Sequence, residues 1–133
     1  MASNVVQPSE IHVTYEDQCK INEFASLNAR LEELKDEVTL KSQELTNIEE
    51  ALKEIDDLTI TDEETVDVLE GGIFVKFSLE EATEQITAKK AAQESEIQAL
   101  KDEMERIKDK MSGLKVELYA KLGRNNINLE ADE

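Results

Sequence analysis

The sequence predicts a mainly α fold, a long antiparallel two-helix coiled coil whose arms are joined by a single β-hairpin. Three observations predict it. Apolar residues recur in alternating steps of three and four from Phe24 to Ile55, and again from Leu79 to Leu118. Between the two runs, Gly71-Gly72 separates VDVLE from IFVKF, two short stretches rich in β-branched and aromatic residues. Charged residues make up 35% of the chain and aromatics 4%, a balance that suits long helices better than a compact globular core.

The elements follow in order. Residues 1–13 read as a short arm containing Pro8, with Ile11 and Val13 as its apolar points. Thr14-Tyr15-Glu16-Asp17 has the form of a capping box with Asp in the place of Glu, which starts the first helix near Tyr15. The first coiled-coil segment spans 14–57, and neither Gly nor Pro interrupts the chain until Gly71. Its seam is Phe24, Leu27, Leu31, Leu34, Val38, Lys41, Leu45, Ile48, Leu52 and Ile55, with Lys41 as the one polar member. Ordinary amphipathic helices rarely hold a 3.5-residue period over so many turns.

Residues 58–77 are the linker and hairpin. With the turn at Gly71-Gly72, Val66 faces Phe77, Val68 faces Val75 and Glu70 faces Ile73, so one face is mostly apolar. On the other face Leu69 meets Phe74, and Asp67 meets Lys76 as an opposite-charge pair. An isolated hairpin is marginal in water and leaves both edges unpaired, so completion of the sheet by other chains is expected.

Ser78-Leu79-Glu80-Glu81 is a full capping box that opens the second helix, spanning 78–122. Its seam runs Leu79, Thr83, Ile86, Lys90, Gln93, Ile97, Leu100, Met104, Ile107, Met111, Leu114 and Leu118, diluted in its first half and clean in its second. Gly123 is the expected C-terminal cap, and 123–133 a polar, acidic tail with Ile127 and Leu129 as its large apolar groups. A hairpin that turns the chain back makes facing residue numbers sum to roughly 135. That places Lys41 level with Gln93, either as a polar layer or with the lysine merely reaching solvent. It also gathers Tyr15, Ile21, Phe24 and Leu27 near Met111, Leu114, Leu118, Tyr119 and Leu122 at a far tip, where Gly113 loosens the second helix.

Several functions are disfavoured. A net charge of −17 argues against nucleic acid and anionic membrane as partners. The opening MASNVVQPSE lacks the basic and apolar runs of a secretory signal, and no stretch approaches a membrane span. One cysteine, Cys19, rules out an internal disulfide and suits a reducing compartment. His12 is the single histidine, so no zinc site is expected, and no phosphate-binding loop or catalytic constellation occurs; the expectation is a protein that is not an enzyme and needs no cofactor.

VTYEDQCKINEFASLNARLEELKDEV at the start, LKVELYAKLGRNNINLEADE at the end and one hairpin between heptad arms together resemble the β-class subunits of the prefoldin family. The likeness covers residues 11–133 and is weakest over 57–70. It implies a heterohexamer of two α-class and four β-class subunits, with the hairpin joining an intersubunit β-barrel through Val66, Val68, Ile73, Phe74, Val75 and Phe77. It further implies an ATP-independent co-chaperone of the cytoplasm, with a nuclear role left open, that captures unfolded actin and tubulin and passes them to the cytosolic chaperonin. Client capture would then fall to Tyr15, Ile21, Phe24, Leu27, Leu114, Leu118, Tyr119 and Leu122. The competing reading is a structural coiled-coil tether, which needs its seam but no apolar residues free to leave it.

Overall fold

The structure, a computed structural model, describes residues 12–123 together with Ile127 and Leu129. The elements are α1 (Tyr15–Ile60), β1 (Thr65–Glu70), β2 (Ile73–Ser78) and α2 (Leu79–Leu122). The expected points Pro8 and Ile11 of the N-terminal arm lie outside the described residues. The chain forms two compact units: a terminal unit of Met1–Asp36 with Lys101–Glu133, and a hairpin unit of Glu37–Leu100.

Each helix begins where its capping residues dictate. The Thr14 hydroxyl accepts from the Asp17 amide at 3.1 Å, and the Asp17 carboxylate accepts from the Thr14 amide at 3.0 Å, a reciprocal box with the shorter acid. Ser78 caps α2 differently. Its hydroxyl accepts from the Glu81 amide and donates to the Glu81 carboxylate, both at 3.1 Å, while the residue itself still pairs with Thr65 across the sheet. The strand and the helix therefore share Ser78, and no linker separates them.

The first helix runs three residues past the expected boundary at Asp57. Leu58 remains half-buried against the core of the hairpin unit, which rewards another turn of helix. The end is a Schellman-type arrangement. Asp62 takes the left-handed backbone (φ 63), and the Glu63 amide reaches back to the Leu58 carbonyl at 3.3 Å. Aspartate tolerates that conformation better than most residues, and no glycine marks the stop in the sequence. The second helix ends as expected: Gly123 has φ 84, and its amide bonds the Tyr119 carbonyl at 3.0 Å.

The hairpin has the predicted register from Val66 opposite Phe77 to Glu70 opposite Ile73, and Thr65 opposite Ser78 extends it by one pair. Gly71 and Gly72 both have positive φ (55 and 87), as a tight I′-type turn requires, and open space surrounds both, so backbone conformation alone demands glycine. In the hairpin unit Ile55, Leu79, Ala82 and Ile86 form a buried cluster, and Val66, Val68 and Phe77 pack onto it with Ile48, Ala51, Leu52 and Leu58. Fully burying one such side chain is worth ~1.5–3 kcal/mol, so this contact holds the hairpin to its own helices.

All predicted seam positions are buried or half-buried in their units. At Lys41 both sequence readings have a part. Its ammonium reaches out to Glu96 at 2.8 Å, while Gln93 donates to the Lys41 carbonyl at 3.1 Å and to Glu44 at 2.9 Å. The layer exists, but it is built on the lysine backbone, with the charge outside the seam.

Candidate functional site

The hairpin presents the first candidate surface. Alternation along a strand sends Val66, Val68, Val75 and Phe77 to one face and Leu69 and Phe74 to the other. The first face carries the expected assembly residues Val66, Val68 and Phe77, yet these pack on the chain's own helices. The two helices flanking the hairpin in sequence supply part of their cover. Val75 is half-buried on the same face. The uncovered apolar groups are Phe74 (72% exposed), Ile73 (66%) and Leu69 (57%), joined by Ile60 at the end of α1. Leu69, absent from the expected assembly set, is the cross-strand partner of Phe74, and that pairing was the signal that could have found it. Beside them a groove of about 310 Å³ is lined by Ile55, Leu58, Val66, Val68, Leu69 and Phe74, among others. The sheet has two strands among the described residues, so each has an outer edge without a partner.

The terminal unit presents the second. Here the expected capture residues separate into three groups. Phe24, Leu118 and Leu122 are buried with Leu31, Leu34, Ile107 and Met111, and so complete the seam. Ile21, Leu27, Leu114 and Tyr119 are half-buried, and Tyr15 is 84% exposed. Val13 and Val116 are exposed apolar residues outside the heptad pattern. Ion pairs tie the helices across this unit: Asp17 to Lys121 at 3.1 Å, Lys20 to Glu117 at 3.3 Å and Arg30 to Glu103 at 3.1 Å. The amide of Thr14, then Lys121 and the Thr14 hydroxyl, hold the Asp17 carboxyl below its ordinary range against the opposing effect of burial.

The tail supplies a contact that periodicity could not reveal. Leu129 is 5% exposed, and its amide donates to the Tyr119 hydroxyl at 3.2 Å. It lines a small cavity of about 80 Å³ with Phe24, Leu31, Lys108, Met111, Ser112 and Lys115. The Lys115 ammonium lies 5.8 Å from the centre of the Tyr119 ring, within cation–π range. The Tyr119 hydroxyl, among the expected capture residues, is thus engaged by Leu129 of the same chain.

Among the described residues no cluster of His, Cys, Asp or Glu is arranged to hold a metal ion, and no helix is long and apolar enough to cross a membrane. What both surfaces can do chemically is bind other polypeptides, by strand pairing at the hairpin and by apolar contact at the helix ends.

Comparison with known proteins points the same way. A family model described as a prefoldin subunit matches residues 18–125. The chain is 41% identical over 126 residues to prefoldin subunit 4 of Homo sapiens, covering 93% of this chain and 91% of that protein. It is 33% identical to prefoldin subunit 4 of Saccharomyces cerevisiae, covering 93% and 94%. Its fold is similar to that of the prefoldin beta subunit from Thermococcus strain KS-1, with a TM-score of 0.74 at 22% identity over 84% of this chain and 96% of that one.

Proposed function

This chain belongs to the prefoldin subunit family, and from that premise we propose that its hairpin builds the chaperone complex while its terminal unit captures unfolded polypeptides. As a prefoldin subunit it is a non-enzymatic co-chaperone component that assembles with other prefoldin subunits. The proposal extends to an α2β4 hexamer held by hairpins joined into β-barrels, capture of unfolded actin and tubulin without ATP, and transfer to the cytosolic chaperonin in the cytoplasm, with the nucleus as a further compartment.

The observation that carries the capture reading is the graded exposure of apolar residues at the helix ends. Tyr15, Val13 and Val116 stand in solvent, while Ile21, Leu27 and Leu114 are half-open. Terminal turns lack part of their hydrogen bonding, so opening there is inexpensive. About 300 Å² of apolar client surface would supply roughly 7 kcal/mol gross. Ordering costs consume much of that, which suits a protein that must release its load, and several tethered copies restore avidity.

The burial of Phe24, Leu118 and Leu122 favours the second reading, a closed structural tether. One experiment separates the two. Removing about two heptads from both helix ends should leave the complex assembled while weakening its hold on unfolded actin. A truncated complex that binds unfolded actin as tightly as the intact one would place capture elsewhere and sink the proposal.

A further inference from the structure

We propose that Leu129 is a built-in latch, an apolar residue of the tail that occupies the groove of the terminal unit and that an unfolded client must displace. The inference rests on the capture reading above and adds its regulation. Leu129 lies beyond Gly123, whose positive φ ends α2 and lets the chain leave the helix axis. The residue is nonetheless as buried as the seam residues beside it, sharing a cavity with Phe24, Leu31 and Met111. A backbone bond to the Tyr119 hydroxyl holds it there at 3.2 Å. Lys115 sits over the same tyrosine ring, so the anchor side chain is itself fixed from a second direction.

The contact is displaceable by design of its surroundings. Leu129 and its hydrogen bond to Tyr119 lie in a half-open groove that keeps about 80 Å³ of free space. A bulkier apolar side chain such as phenylalanine gains contacts there that leucine does not reach. Lys108 and Lys115 line the same cavity and give its rim a positive charge. The segment best able to replace the latch is therefore an extended polypeptide with a bulky apolar residue flanked by carboxylates. Occupied by the tail, the groove hides Phe24 and Met111 from weaker or accidental partners.

The test uses the full chain in its assembled complex, with Leu129→Asp, Leu129→Phe and Tyr119→Phe variants. Two readouts are followed: fluorescence of an apolar dye, and affinity for a reduced, carboxymethylated polypeptide that cannot refold. Leu129→Asp should open the groove, brightening the dye and tightening client binding by at least roughly threefold if the latch is closed two-thirds of the time or more. Leu129→Phe should fill the spare volume and shift both readouts the opposite way. Tyr119→Phe keeps the ring but removes the acceptor, so it should speed hydrogen exchange at the Leu129 amide and tighten client binding by a smaller factor.

Unchanged dye binding in Leu129→Asp, or a shift of the same sign in Leu129→Asp and Leu129→Phe, would overturn the latch. So would a brightened dye with unaltered client affinity. In that last case the complex with shortened helix ends identifies which idea failed: weakened capture there leaves the terminal unit as the client site and removes only the latch, whereas full capture removes both.

Discussion

Asp17 ties the start of α1 to the end of α2. It caps α1 through Thr14, pairs with Lys121 at the end of α2, and is buried while doing so. Its carboxyl is held below the ordinary value near 3.8, first by the Thr14 amide. A carboxylate with a depressed folded pKa contributes stability that is fully present above its unfolded pKa and lost as pH falls through the lower folded value. Acid titration should therefore release the start of α1 only below the usual carboxylate range. Asp17→Asn should remove this part of the acid limb, flattening the pH dependence of unfolding there. Equal acid limbs in the wild type and Asp17→Asn would show that the pairing carries no linkage.

At the scale of the element, the seam decides which leucines matter. Leu34 and Leu40 lie in the same helix, six positions apart, and are chemically identical. Leu34 falls in the seam and is fully buried, whereas Leu40 falls outside it and is 56% exposed. Leu34→Ala should cost ~2–5 kcal/mol, the transfer loss plus a cavity. Leu40→Ala should stay within about ±0.5 kcal/mol, as for surface sites generally. Denaturant unfolding of the two variants checks the contrast, and comparable losses would mean that α1 is not seated by its heptads.

At the scale of the whole molecule, the hairpin has two apolar faces of different exposure. The face with Val66, Val68 and Phe77 belongs to the chain's own core, while Leu69 and Phe74 face outward beside unpaired strand edges. Phe74→Asp should therefore block assembly with other subunits while leaving helical content and chain stability near wild type. Val68→Asp should instead destabilise the chain itself, because a charge would then meet the Ile55–Ile86 cluster. Size measurement and circular dichroism read both effects. Normal assembly of a complex containing Phe74→Asp would show that this face is not the joint.

Sequence alone determined most of what depends on capping, turn residues or a repeated pattern. The heptads located both helices, Thr14 and Ser78 marked their starts, and Gly71-Gly72 with the Asp67–Lys76 match set the hairpin register, because each of these is read from neighbours in the chain. Even the level of Lys41 with Gln93 followed from counting back through one turn. Tertiary structure decided the questions that pattern leaves degenerate. A strand with apolar residues on both faces does not say which face its own helices will take, and packing on Ile55, Leu79, Ala82 and Ile86 gave them the valine face. The end of α1 depended on Asp62 accepting a backbone usually left to glycine. Leu129, one apolar residue beyond a helix stop, belongs to no period, so only the folded groove of Phe24, Leu31 and Met111 could give it a place.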